Sequence, residues 1–462
     1  MTITAIPTAD LEPSQVSGQT YVTRRRPTYI DAAVLLSLMT GLTLLVPSYL
    51  IVPGMTDLAR PGLIVGFVLF CWWLLVHFTL HLVMTGPQPI RWALLAYIAA
   101  ALASYAVGFL RGLTTIEANG ADRAMLFALS FAGVVLAAAD GVPNWLRLRG
   151  VVKVLVTCAA IVGFIALLQY MLALDITQYL IFPGLEAKGW APGFEVRGAG
   201  IRVAGTMTHY IEMAAALAMT LPFAIHFACF GRRPRYRRLA LMAAALIAAG
   251  IATTISRTGM LAIALMFVVM IPVWTWRMRY NILTMSAGLG AVLTVMNPGL
   301  VSTLLGLFDD PESNPAFTVR AERYPLAFSY FEQRPWLGRG TGTYLWPQYQ
   351  ILDNQWLATL ISNGIFGVAT LAGLHITGIV LAGLAWRRST TLEDRHLCAA
   401  LIATQVIAIA VAGTFDALSF STYTMVLALT VGLCGTVWRL THPARKVRTS
   451  TTRWFLDSTA TG

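Results

Sequence analysis

A chain of 462 residues that is 57% hydrophobic and only 12% charged cannot clothe a soluble domain. Such a surface takes about a quarter charged residues, whereas a lipid-facing one takes few. The net charge of +12 does not indicate nucleic acid, because the arginines sit in short clusters between apolar runs, the pattern that orients membrane helices.

Residues 1–28 are polar, rich in Thr and Ser, and carry Arg24-Arg25-Arg26 just before the first apolar run. They read as a disordered cytoplasmic tail leading to an uncleaved first span. A polytopic membrane domain follows over 29–440 and a basic cytoplasmic tail over 441–462. Crossing the hydrocarbon needs roughly 20 apolar residues. Runs of that kind fall near 31–52, 61–83, 90–110, 122–139, 150–173, 207–229, 237–255, 258–275, 280–297, 355–385, 396–414 and 420–438. The expected fold is an all-α integral membrane protein of about twelve transmembrane helices. With both termini inside, most of the 33 Lys and Arg residues fall on the cytoplasmic side, most clearly in Gly231-Arg-Arg-Pro-Arg-Tyr-Arg-Arg238.

The two longest loops, 174–206 and 298–354, then lie outside, the larger between helices nine and ten. It holds a turn-rich stretch, Asp309-Asp310-Pro-Glu-Ser-Asn-Pro315, and a predicted interfacial helix near 317–333 that Pro325 breaks or kinks. The five cysteines, Cys71, Cys158, Cys229, Cys398 and Cys434, all lie in apolar segments. An odd number in spans predicts unpaired thiols, and no Cys/His spacing predicts zinc. No metal and no cofactor are expected.

Charge beside lipid is costly, so the outer charges are the informative ones. They are Arg202, His209 and Glu212 at the start of span six, Arg257 in Ser256-Arg-Thr-Gly259, Arg320 and Arg323 in the large loop, Asp353 at the mouth of span ten, and Asp416 between the last two spans. Arginine binds phosphate through a planar fork and stays charged at any working pH. Several such groups at one depth suit a diphosphate whose lipid tail stays in the membrane, and would stabilise its charge as it leaves. Taken singly, Arg202 and Arg257 equally suit snorkelling to headgroups, and Arg334 and Arg339 suit interfacial anchoring. His209 and Glu212 share a helical face, which also suits a simple polar pair, and Asp353 is placed to be a helix N-cap. There is no GxxxxGK[ST] phosphate loop and no HExxH, and Gly338-Arg-Gly340 with Gly342 follows no strand, so it is not read as a dinucleotide site.

Four stretches resemble motifs of the O-antigen ligase/O-antigen polymerase (Wzy-like) family, in that family's order, over about residues 200–370. Arg202-Val-Ala-Gly-Thr-Met-Thr-His209-Tyr-Ile-Glu212 resembles R-x-x-G-T-x-x-H-P-x-E. Ser256-Arg257-Thr-Gly259 resembles S-R-[ST]-G. Arg334-Pro-Trp-Leu-Gly-Arg-Gly-Thr-Gly-Thr-Tyr344 resembles P-x-x-G-x-G-x-G-x-[FY], and Asp353-Asn354-Gln-Trp-Leu357 through Gly364-Ile-Phe-Gly367 resembles [HD]-N-x-x-L…G-x-x-G. The resemblance implies a glycosyltransferase C-like scaffold in a bacterial inner membrane. It implies metal-independent, inverting transfer from a polyprenyl-diphosphate-linked glycan donor to a hydroxyl of a glycan or glycolipid acceptor on the extracytoplasmic face. By position, Arg202 and Arg257 would grip the diphosphate with Arg320 or Arg323 assisting, His209, Glu212 and Asn354 would line the substrate site, and Asp353 would be the general base. The sequence departs from the ligase branch where Asp353 replaces a His and Tyr210 replaces a Pro, which favours a polymerase-like or actinobacterial-type relative. The competing readings are a secondary transporter and a lipid-linked-glycan flippase, the latter using His77, His81, Gln169, His226, His375 and Gln405 to line a polar cavity.

Overall fold

A backbone in lipid must satisfy its own hydrogen bonds, so apolar runs of this length become helices. The computed structural model of the chain describes residues 31–54, 58–78, 87–188, 194–197, 200–296 and 315–443. The expected tail over 1–28, all but the first three residues of the expected tail over 441–462, and the turn-rich stretch up to 314 lie outside them. In chain order the helices are α1 (Ala32–Leu45), α2 (Pro61–Phe78), α3 (Pro89–Arg111), α4 (Thr115–Gly141), α5 (Trp145–Leu172), α6 (Tyr210–Phe230), α7 (Pro234–Thr253), α8 (Arg257–Met270), α9 (Trp276–Met296), α10 (Pro315–Gln333), α11 (Gln355–Arg388), α12 (Leu392–Val411) and α13 (Ser421–Thr441). Two small antiparallel pairs accompany them: β1 (Leu50–Ile51) with β2 (Glu186–Ala187), and β3 (Glu195–Arg197) with β4 (Gly200–Arg202).

Among the described residues, eight helices, α3 to α7 and α11 to α13, are long and apolar enough to cross a membrane. The other four expected spans correspond to α1, α2, α8 and α9, whose described residues fall short in length or apolar character. The apolar run 31–52 is divided because α1 stops before Pro47, after which Leu50 and Ile51 pair with β2. The run 258–275 is divided by Pro272, and α8 ends two residues before it.

Helix α13 is the axis of the bundle, buried from Ser421 to Leu440, and α6 beside it is buried along most of its length. Small residues allow the close approach of neighbours: a Cβ added at Gly250 on α7 would stand 2.7 Å from the Gly163 Cα on α5, and one at Gly133 on α4 would stand 2.1 Å from the Gly66 carbonyl oxygen on α2. Polar side chains inside the bundle bond to one another. His375 on α11 meets Gln405 on α12 at 3.0 Å, His226 on α6 meets His396 on α12 at 3.3 Å, and Trp274 donates to His396 at 2.9 Å. Gln169 bonds both the N–H and the carbonyl of Gly205. These side chains join helices and loops to one another, the bland alternative to a polar cavity; the side chains of His77 and His81 lie outside the described residues. The five cysteines are free thiols.

One device shapes the mouth of the bundle. Helix α11 is broken at Gly364, whose φ of +64° is in the region that favours glycine, and the segment Arg334–Tyr344 is seated in the break. The N–H groups of Ile365 and Phe366 donate to the carbonyls of Pro335 (2.8 Å) and Trp336 (3.2 Å), while those of Arg339 and Gly340 donate to Ile361 (2.9 Å) and Ser362 (3.0 Å). A Cβ on Gly338 would lie 2.5 Å from Ser362 backbone, and one on Gly364 would lie 2.4 Å from Trp336 backbone. The glycines of this loop serve backbone-to-backbone packing.

Candidate active site

The starts of α6, α8, α11 and α13 meet at one end of the bundle, and Glu212 is the residue that fastens two of them. It lies in the first turn of α6 and is 0% exposed. One carboxylate oxygen accepts the N–H groups of Thr422 (2.9 Å) and Tyr423 (3.3 Å) at the start of α13, and the other accepts Thr208 N–H (3.1 Å). A carboxylate is well suited to this place, because helix N-termini carry unpaired donors and a partial positive charge. The shared helical face expected for His209 and Glu212 is therefore divided in use: Glu212 turns inward to brace α13, and His209 is the N-cap of α6.

The His209 Nδ1 accepts the Ile211 N–H at 3.2 Å, and the ring lies 4.1 Å from that of Tyr210 and 5.8 Å from that of Phe420. Burial holds the imidazole below its usual value; Arg202 acts in the same sense, and Glu195 and Asp353 oppose it. With Nδ1 accepting, the neutral ring keeps Nε2–H as a donor. Arg202, at the end of β4, is buried. Its guanidinium lies 4.4 Å from the centre of the Tyr210 ring, and Nη1 donates to the Tyr210 hydroxyl and, at 3.0 Å across the hairpin, to Glu195 Oε1. Cation–π and hydroxyl contacts thus hold the arginine on its buried side, and the exposed Glu195 meets it from outside.

Asp353 stands at the mouth of α11 with a φ of +50°, the left-handed region that a non-glycine residue adopts only when its surroundings hold it there. The holding group is Asp416, which accepts the N–H of Asp353 on Oδ2 (3.3 Å) and that of Asn354 on Oδ1 (3.0 Å). Burial pushes the Asp416 carboxyl above its ordinary value; the Asn354 N–H opposes this, and the neighbouring Asp353 charge adds to it. The N-cap of α11 is Asn354, not Asp353 as the sequence led us to expect, since Asn354 Oδ1 accepts from Trp356 (3.0 Å) and Leu357 (3.3 Å). Capping is thereby delegated to the neighbour, and the Asp353 carboxylate turns to α10, where Arg323 Nη1 donates to its Oδ2 at 2.6 Å. Asn354 Nδ2 also reaches the Tyr324 hydroxyl at 3.4 Å.

Arg257 opens α8. The next residue, Thr258, bonds Thr414 at 2.9 Å, which ties this helix start to the α12–α13 connection that also carries Asp416. The Arg257 Nε and Nη2 are both buried and meet no hydrogen-bond partner, and no carboxylate lies within ion-pair distance of the group among the described residues. A half-buried guanidinium whose buried donors are open is what an incoming anion would complete.

Of the other arginines considered, Arg334 is exposed. Arg339 belongs to a separate cluster, its guanidinium 4.9 Å from the centres of both the Tyr330 and Tyr349 rings and 3.6 Å from Glu117, which Arg111 engages at 2.9 Å. Arg320 lies on α10, but its side chain is outside the described residues. The structure thus joins Arg323 directly to Asp353, places Asp353, Glu195 and Arg202 within electrostatic reach of His209, and links Arg257 to the same loop as Asp416. Sequence reasoning missed Glu195 and Tyr210 as partners of Arg202, and Tyr324 as a partner of Asn354. It marked Asp416 as an outer charge without a role; the signal that was available was its isolation in an apolar stretch.

Residues 239–372 match the family model described as O-antigen ligase. The match agrees with the resemblance carried by the residues over Ser256–Gly367, spans Arg257, Arg323, Asp353, Asn354 and the glycine loop, and does not reach Arg202, His209 or Glu212. No curated protein matches the chain.

Proposed function

We propose that this chain transfers or polymerises glycan, taking it from a polyprenyl-diphosphate-linked donor and placing it on a hydroxyl of a glycan or glycolipid acceptor at the extracytoplasmic face. The observation that carries the reading is the open guanidinium of Arg257 at the same end of the bundle as Asp353, Asp416 and Arg323. The family match supports the reaction class. In this reading the acceptor oxygen attacks the anomeric carbon from the face opposite the diphosphate, and the carbon–oxygen bond to the diphosphate breaks with inversion. The acceptor proton passes to the Asp353 carboxylate, and the departing diphosphate keeps the bonding electron pair. Arg257, Arg202 and Arg323 hold the growing phosphate charge, so that cationic side chains supply what a metal ion supplies elsewhere. Neutral His209 offers Nε2–H to a sugar or phosphate oxygen, Asp416 sets Asp353 in place, Asn354 caps α11 beside it and lines the substrate site, and Glu212 holds the floor.

The topology belonging to this reading has twelve crossings, both termini cytoplasmic, and the segment 298–354 outside as a cap. Purified protein in liposomes with a lipid-linked oligosaccharide tests it. Release of free polyprenyl diphosphate together with an extended acceptor is expected; movement of intact donor across the bilayer without bond cleavage would instead mark a carrier.

A further inference from the structure

At the end of the bundle away from the candidate site the arginines fall into two groups. Arg91, Arg147 and Arg149 are half-buried, and each meets a carboxylate. Arg232, Arg233, Arg235, Arg237 and Arg238, at the corner that joins α6 to α7, are exposed, and no carboxylate lies within ion-pair distance of any of them among the described residues. The neighbouring chain offers none, since no Asp or Glu occurs between Glu212 and Asp309. Arg237 is tied down through Nε, which donates to the Ala228 carbonyl at 3.2 Å, whereas the side chains of Arg235 and Arg238 meet no protein partner among the described residues. These two lie one turn apart on the first turn of α7, where like charges repel and the helix dipole favours an anion.

The same helix supplies a second observation. Arg235, Leu239 and Met242 follow one another at spacings of four and three on one face, Arg238 stands a turn before Met242, and both Leu239 and Met242 are exposed. One face of α7 thus runs from guanidinium to bare apolar side chain within two turns, the order in which a phospholipid runs from phosphate to acyl chain. Exposed Tyr236 on α7, and exposed Trp276 and Tyr280 at the start of α9, which packs against α7, stand at this end, and such rings settle at headgroup level. A soluble anion would use the arginines and leave the apolar stripe bare, and a neutral lipid would do the reverse.

We propose that this corner binds an anionic phospholipid, with the guanidinium forks of Arg235 and Arg238 on its phosphate and its chains along Leu239 and Met242. The inference needs only a chain embedded in a membrane and is independent of the transferase reading. Orientation of the helices counts lysine and arginine alike and is satisfied by basic residues anywhere in the loop. A phosphate seated in a planar fork needs arginine, and a lipid needs the stripe beyond it.

The test is lipid binding by the full chain in detergent micelles, with phosphatidylglycerol, phosphatidylcholine and soluble glycerol phosphate as separate probes. Phosphatidylcholine has the same phosphate but cancels its charge with choline, so the native protein must retain phosphatidylglycerol in preference to it. Arg235→Gln and Arg238→Gln should each weaken phosphatidylglycerol binding roughly fivefold, and together roughly 25-fold, the scale of one basic side chain each at an anionic surface. The double variant Arg235→Lys/Arg238→Lys keeps the charge and loses the forks, so it must bind more weakly than native; equal binding would overturn the proposal. Arg387→Gln/Arg388→Gln removes two exposed arginines from the last turn of α11 at the same end, and must leave binding close to native. A loss there equal to that of the α7 pair would mean diffuse attraction and would also overturn it. Glycerol phosphate must bind far more weakly than phosphatidylglycerol, since equal affinity marks a site for free anions. Absence of any preference in native protein that melts cooperatively would end the proposal and leave the transferase reading untouched.

Discussion

The two ends of the helical bundle use their buried and half-buried arginines in opposite ways. At the end that joins α4 to α5, α6 to α7 and α11 to α12, they are consumed in fastening. Arg147 donates to Asp31 (2.8 Å through Nε), Arg149 to Asp394 (2.6 Å), Arg91 to Asp140 (2.9 Å), and Arg439 to the carbonyls of Ala139 and Val142. At the opposite end Arg257 has buried donors with nothing to meet, and Arg202 and Arg323 are held by carboxylates reaching in from the water side. Buried guanidinium donors without partners cost stability that helix packing must offset. Arg91 and Arg149 at the fastening end also leave Nε bare, but each is paired with a carboxylate, whereas Arg257 meets none among the described residues; that separates charge that builds the protein from charge open to a ligand.

Substitutions can break this contrast, and the largest effect is expected in turnover. Asp353→Asn should slow transfer by roughly 100- to 10,000-fold, the range for losing a general base, and Arg257→Ala by roughly 100- to 1,000-fold, the range for losing one charge-stabilising donor group. Steady-state assays on purified protein check both, and near-native rates in either variant would remove the contrast. The next effects are on stability. Gly364→Ala forces a Cβ to within 2.4 Å of Trp336 backbone at a φ of +64°, and should cost about 3 kcal/mol or more, seen as a clear drop in melting temperature. Glu212→Gln keeps the shape but puts an NH2 group among three backbone donors, and should cost about 1.5–3 kcal/mol by the same measurement. The smallest effect belongs to the fastening end: Arg147→Ala should lower stability by no more than about 1 kcal/mol, since that pair is partly exposed, and should leave transfer rates unchanged.

What was legible in the sequence was what depends on runs and short spacing. Apolar stretches gave the helices, and isolated polar residues among them pointed to Arg202, Arg257, Arg323, Asp353 and Asp416. What depends on distant partners was not legible. Asp416 reaches Asp353 across 63 residues, and Glu212 reaches Thr422 across 210, with no periodicity to announce either contact. Composition also failed to separate a span from an apolar loop at 46–52, because a strand pairing with Glu186–Ala187 needs the same residue types as a helix in lipid. The choice of Asn354 over Asp353 as N-cap turned on a one-residue shift, and either side chain suits that position chemically. The glycine loop and the Gly364 segment were read as two motifs; in three dimensions they are two halves of one joint.

That joint has a consequence for adaptation to different membranes. The 24 residues of α11 after Gly364 make a shaft of roughly 36 Å at 1.5 Å per residue, against a hydrocarbon layer of roughly 30 Å. The carbonyls of Ile361 and Ser362 before the break and the N–H groups of Ile365 and Phe366 after it are bonded to Arg334–Tyr344, so the joint is fastened on both sides. A change in bilayer thickness is therefore taken up at the far end of the shaft, where Arg387 and Arg388 lie in its last turn. The first two turns, and the residues they present, keep their register whatever the thickness of the host envelope.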